Sequence, residues 1–220
     1  MQIAKDDVDF ALAPSPWDLG NQVLYTLCQE HPRHARGDAI IAKAWLIGRS
    51  YAAAIERRKN VKDTSDDFYE TTVVDQIKDS QLDAWLCSLP NELTDPWSQL
   101  ASVVTVHQRL MDLFSGMTGL DKRSLASKYL HFHRPDLFFL YDTRAKSALA
   151  KVTPAIRRIP RITAEEADAE YLLLSRRCQW VRDDVSHRYT VNLTPRQVDK
   201  ILLRITNRVI KARTRGSTMP

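Results

Sequence analysis

The chain has 220 residues, 44% of them hydrophobic, with a formal net charge of +5 and a sequence pI near 9.1. That is enough apolar material for one large helical domain or two small lobes, and the modest basic excess favours an anionic partner, nucleic acid by default. No apolar run approaches membrane-spanning length, and the start lacks the basic-then-hydrophobic layout of a signal peptide. The three distant cysteines, Cys28, Cys87 and Cys178, argue against a disulfide framework or a cysteine metal site, so a reducing, cytoplasmic location is expected.

Helical periodicity recurs along the chain and strand alternation does not, which predicts an all-α protein. Ser15-Pro16-Trp17-Asp18 starts a helix whose apolar face continues through Val23, Leu24, Leu27 and Cys28. A second helix is expected over about residues 38–59, with Ile41, Ala44, Trp45, Gly48, Tyr51, Ala52 and Ile55 at three-four spacing. The polar, acid-rich stretch that follows reads as a loop, and it places a lobe junction near residues 60–72. Helices are expected from Val73 to Leu89 and again after Thr94-Asp95-Pro96, the latter carrying His107 on its apolar stripe as a core histidine.

The densest segment runs from Gly119 to Lys146. Gly119, Lys122, Arg123 and Ser124 supply a permissive backbone, two cations and a helix-starting hydroxyl, the composition of a turn whose amides face a phosphate. An amphipathic helix follows and Arg134-Pro135-Asp136 ends it. The apolar run Leu137 to Leu140 then leads to Tyr141-Asp142-Thr143-Arg144, with Asp142 at the mouth of a helix from Arg144 to Lys151. A carboxylate there serves as a helix cap or as a catalyst. Between Thr143 and Ala164 there is no acidic residue, while Lys146, Lys151, Arg157, Arg158 and Arg161 are basic. The last helix begins at Thr194-Pro195, buries Val198, Ile201, Leu202, Ile205 and Val209, and repeats Lys200, Arg204, Arg208, Lys211 and Arg215 on another face.

Over residues 108–151 this order of parts resembles the helix-hairpin-helix superfamily of DNA glycosylases, through Gly119, Ala126 and Asp142-Thr143-Arg144. The resemblance implies a two-lobed helical bundle acting on double-stranded DNA without a cofactor or metal, with a monomer favoured. It implies phosphate binding by Gly119, Lys122, Arg123 and Ser124 with Arg144 and Lys146, and Asp142 as the catalytic carboxylate. Such an enzyme extrudes its target base, and Trp45, Arg49, Tyr129, His131 and Tyr141 are the candidates for the base pocket. Asp121 stands where the hairpin's second glycine is usual, and Ser124 where bifunctional members carry a nucleophilic lysine. The expected activity is therefore monofunctional removal of a damaged or modified base, in host repair or in defence against invading DNA. Lys128 reads as a core-edge lysine or a displaced nucleophile.

Other constellations compete. His131-x-His133 is a poor metal pair, because residues two apart do not share a helix face. Arg182 and His187 form an Arg-x4-His pattern similar to the active motif of HEPN ribonucleases. A DNA-binding protein without catalysis fits every basic feature and asks nothing of Asp142.

Overall fold

The computed structural model describes residues 1–58, 67–91, 96–156 and 167–216, all helix and connection with no strand among them. The helices are α1 (Lys5–Leu12), α2 (Asp18–Glu30), α3 (Gly37–Ser50), a π-helical segment (Phe68–Val74) continuing into α4 (Asp75–Asp79), α5 (Leu82–Cys87), α6 (Pro96–Thr118), α7 (Arg123–His133), α8 (Thr143–Val152), α9 (Ala169–Tyr189) and α10 (Pro195–Gly216). The all-α expectation holds, and no helix of the described residues is long and apolar enough to cross a membrane. Of the expected lobe junction, residues 60–66 lie outside the described residues, as do Arg157, Arg158 and Arg161.

Two boundaries differ from the sequence reading. α3 stops at Ser50 rather than running to Lys59, because the chain folds back on the helix in a Schellman turn. Ala52 takes the left-handed position at φ 52°, Ala53 N–H bonds Gly48 C=O at 2.8 Å, and Ala52 N–H bonds Arg49 C=O. A side chain at Gly48 would meet Ala54 Cα at 3.2 Å, so the small residue is required by the returning chain and not by a neighbouring helix. The helix expected over Val73 to Leu89 is broken at Ser80, whose hydroxyl donates to Ile77 C=O and accepts from Leu82 N–H.

α6 and α7 are joined by a short turn in which Gly119 adopts φ 68°, and the two helices pack on each other. α7 also packs on α2 and α3, while α10 packs on α1, α8 and α9. The basic face of α10 is partly consumed by the protein itself. Asp7 of α1 is fully buried and binds Arg204 Nε at 3.2 Å and Arg208 Nη2 at 2.6 Å, and Lys200 donates to Ala13 C=O at 2.6 Å. Three cations of that face thus fasten the N-terminal segment; the side chain of Arg215 lies outside the description.

The feature that places the candidate acid is the extended connector between α7 and α8. An isolated extended chain has no ladder to satisfy its backbone, so buried partners must come from side chains. α7 supplies them from one face, at positions 124, 127, 128 and 131, the i, i+3, i+4, i+7 pattern. Tyr141 N–H donates to Ser127 Oγ at 2.9 Å, and Tyr141 C=O accepts from Lys128 Nζ at 2.6 Å and from Ser124 Oγ at 3.3 Å. His131 Nδ1 meets Phe138 C=O at 2.8 Å, and Tyr171 of α9 donates to Phe139 C=O at 2.9 Å. Leu137 through Tyr141 meanwhile bury their side chains in the core.

This arrangement makes Ser127 more important than its size suggests. Ser127→Ala leaves a buried amide without a partner and is expected to cost about 1–3 kcal/mol of stability in urea denaturation. Ser147→Ala, on the exposed face of α8, is expected to stay within about 0.5 kcal/mol of wild type.

Candidate active site

Asp142 sits at the end of this connector as the N-cap of α8, in extended backbone, with Oδ1 accepting from Arg144 N–H at 2.7 Å. Neighbouring residues of an extended chain point opposite ways. Tyr141 reaches Glu170, to which its hydroxyl donates at 2.5 Å, whereas Asp142 lines a cavity of about 580 Å³ on the other side. The cavity is walled by Trp17 and Asn21 of the α2 start, Tyr51 at the end of α3, Lys128 of α7, and Arg196 and Asp199 of α10. Its size lies in the range of small-ligand and nucleotide pockets.

The charged groups of this cavity are strongly perturbed. Lys128 is 2% exposed, and burial pushes its amine from an ordinary 10.5 down to about 8. About a tenth of the molecules then carry the free amine at pH 7. The amine donates to Ser124 Oγ at 2.8 Å as well as to Tyr141 C=O, so a lysine four residues further along α7 delivers its nitrogen beside the hydroxyl of Ser124. Burial holds the Asp199 carboxyl above the usual carboxylate range, against the pull of Arg196, whose Nη1 binds Asp199 Oδ2 at 2.7 Å, and of Lys128. Tyr51 donates to Asn21 Oδ1 at 2.6 Å, and its ring lies 5.7 Å from Lys128 Nζ and 5.9 Å from the Arg196 guanidinium carbon. Asn21 Nδ2 and Arg196 Nε are buried with no hydrogen-bond partner. A carboxylate, an amine of lowered pKa, two residues with buried unpartnered donors and two aromatic side chains thus line one space.

Other residues singled out from the sequence are placed elsewhere. The Lys122 amine does not reach outward from the hairpin: it is buried and donates to Ala54 C=O at 2.9 Å and Arg57 C=O at 2.5 Å, tying α7 to the chain after α3. Arg123 pairs with Asp168 through both Nε and Nη2 and lies over the Tyr141 ring, and Lys146 binds Glu170 at 3.1 Å. These cations answer acids of α9 and its N-cap. Gly119 serves the turn, and Ser124 is bound to Lys128 and Tyr141. Arg144 lines the cavity, with Nη2 donating to Asn207 Oδ1 at 2.5 Å.

The expected base pocket is also rearranged. Tyr129 is fully buried and receives its partner from His34 Nε2 at 2.9 Å, inside the core. His131 joins Phe138 C=O to the Tyr25 hydroxyl, at 2.6 Å, and faces a neighbouring cavity of about 540 Å³; burial pushes it down to about 4. His133 faces His34 and Tyr129 instead, so the two histidines do not converge. Trp45 is half exposed and Arg49 pairs with Glu56, both outside the Asp142 cavity. Arg182 and His187 lie five residues apart on α9, about 140° around the helix, with Arg182 partly buried and His187 exposed. Among the described residues no group of three or more His, Cys, Asp or Glu is placed to hold a metal ion.

Trp17, Asn21, Tyr51, Arg196 and Asp199 were not singled out as a site by the sequence. Asp199 carried a usable signal, as the single acid of a basic helix, three residues after Arg196. Comparison with protein-family models, with curated proteins and with solved structures finds no match for this chain.

The lowered amine of Lys128 has a thermodynamic signature. From pH 8 to 10.5 the unfolded chain holds a proton at this lysine that the folded chain has released, so the group's contribution to stability rises with pH across that window and is constant below it. The urea midpoint of wild type is expected to rise relative to Lys128→Met between about pH 7.5 and about pH 9.5. Parallel profiles for the two proteins would mean that the amine titrates as an exposed lysine does.

Proposed function

We propose that the chain is a DNA N-glycosylase that receives an extruded nucleotide in the Asp142 cavity and releases its base. The observation that carries this reading is that Asp142 and Lys128, held by the same α7 stripe, line one cavity with aromatic walls and unpaired donors. Cleaving an N-glycosidic bond develops positive charge on the deoxyribose, and a fixed carboxylate stabilises that charge and orients the attacking water. The N-cap bond from Arg144 N–H fixes the carboxylate without neutralising it. Trp17, 76% exposed at the rim, and Tyr51 inside supply faces against which a base can stack. Of the cations near the mouth, Arg144 is exposed and Arg196 is partly so, and these two replace Lys122 and Arg123 as the proposed phosphate and base contacts.

The test is incubation with duplexes bearing a panel of modified bases, read as free base by mass spectrometry. Asp142→Asn is expected to keep the fold and most DNA affinity and to lose about a hundredfold or more in base release. Asn caps a helix about as well as Asp, so a purely capping role predicts nearly unchanged activity.

A second form of the same reading is favoured by the cavity position and lowered pKa of Lys128. In it the free amine attacks the sugar C1′ as the base departs with the bonding electrons, giving a covalent imine once the ring opens. Borohydride separates the two. A trapped adduct on Lys128, absent in Lys128→Met, would establish lysine attack, whereas an intact abasic strand with no adduct is the outcome expected for water.

A further inference from the structure

Resting on the reading of the cavity as a base pocket, we infer that Asn21 determines specificity, selecting a base with a keto oxygen over its amino counterpart. The Asn21 side chain is more than nine-tenths buried, which makes an unanswered polar atom costly. Its carbonyl is already used, because Oδ1 accepts from the Tyr51 hydroxyl at 2.6 Å. That bond orients the amide, leaving Nδ2 as a donor with no partner. Arg196 repeats the situation: Nη1 is occupied by Asp199, while Nε is buried and unanswered. Asn21 and Arg196 line the same cavity, and the unanswered atom of each is a buried donor.

A ligand that satisfies them must bring acceptors. Keto and amino bases differ in the exocyclic group, a carbonyl oxygen in hypoxanthine or uracil and an –NH₂ in adenine or cytosine. The carbonyl answers a donor directly. The amino group sets donor against donor and leaves the Asn21 amide unpaired, an asymmetry that buried polar sites exploit far more strongly than apolar pockets do. Asp199 offers little compensation, since its Oδ2 is committed to Arg196.

Binding can be measured with turnover suppressed, using Asp142→Asn and duplexes that carry deoxyinosine, deoxyadenosine, deoxyuridine or deoxycytidine opposite an abasic analogue, so that no base is paired. Fluorescence anisotropy at fixed salt is expected to show each keto base bound about tenfold more tightly than its amino counterpart, the lower end of what one good polar contact discriminates. Adding Asn21→Ala is expected to remove most of the difference while Tyr51→Phe, which frees the amide to turn, narrows it. Equal affinities within each matched pair, or preference for the amino member, would overturn the assignment of Asn21 while leaving base excision intact if the unmodified protein still releases a base. If no central base alters affinity relative to a fully paired duplex and nothing is released from any substrate, the base-pocket reading itself fails.

Discussion

The backbone of residues 138–141 is extended and buried without a neighbouring strand among the described residues, and its hydrogen-bonding groups must nevertheless be satisfied. The polar stripe of α7 meets that requirement. Ser124, Ser127, Lys128 and His131 hold Phe138 and Tyr141 by their main-chain atoms, and Tyr171 holds Phe139 from the other side. This fixes where the connector ends and therefore where Asp142 caps α8. It also buries Lys128, because its amine is one of the partners, so the anchoring of the acid and the perturbation of the amine have one origin. Removing water from such a group lowers its pKa whatever its role.

Charge in this protein is spent largely on assembly. Lys122 caps carbonyls after α3, Arg123 and Lys146 answer acids at the start of α9, and Arg204 and Arg208 enclose Asp7 of α1. The net charge of +5 already counts these acidic partners, and the cations they hold are committed within the protein. The Asp142 cavity departs from that pattern. Asn21 and Arg196, which line it, each retain a buried donor without a partner.

Much of the framework was legible in the sequence because it rests on local rules. Three-four spacing located α2, α6, α7 and α10, Thr194-Pro195 marked the start of α10, and Gly119 marked the turn between α6 and α7. Asp142 at the mouth of α8 was legible for the same reason. The limits of α3 were not, since Ala52 adopts a left-handed conformation that its residue type does not announce and that tertiary return of the chain imposes. The cavity walls were not legible either: Trp17, Tyr51, Lys128 and Asp199 come from four separated segments, and only packing brings them together. Tyr129 and His131 were close to Asp142 in sequence yet face away from it, because helical rotation separates residues that a linear reading groups. The polar i, i+3, i+4, i+7 stripe of α7 was visible as a pattern, and its meaning depended on recognising that the following extended run has no strand partner.

The central claim is that Asp142 stabilises positive charge on a deoxyribose inside this cavity. It is tested most directly by comparing duplexes that carry either a cationic pyrrolidine or a neutral tetrahydrofuran in place of the target sugar. The cationic sugar resembles the charge of the transition state, and wild type is expected to bind it on the order of a hundredfold more tightly than the neutral one, with the preference lost in Asp142→Asn. Equal binding of the two duplexes by wild type, or a preference that survives Asp142→Asn, would contradict the account.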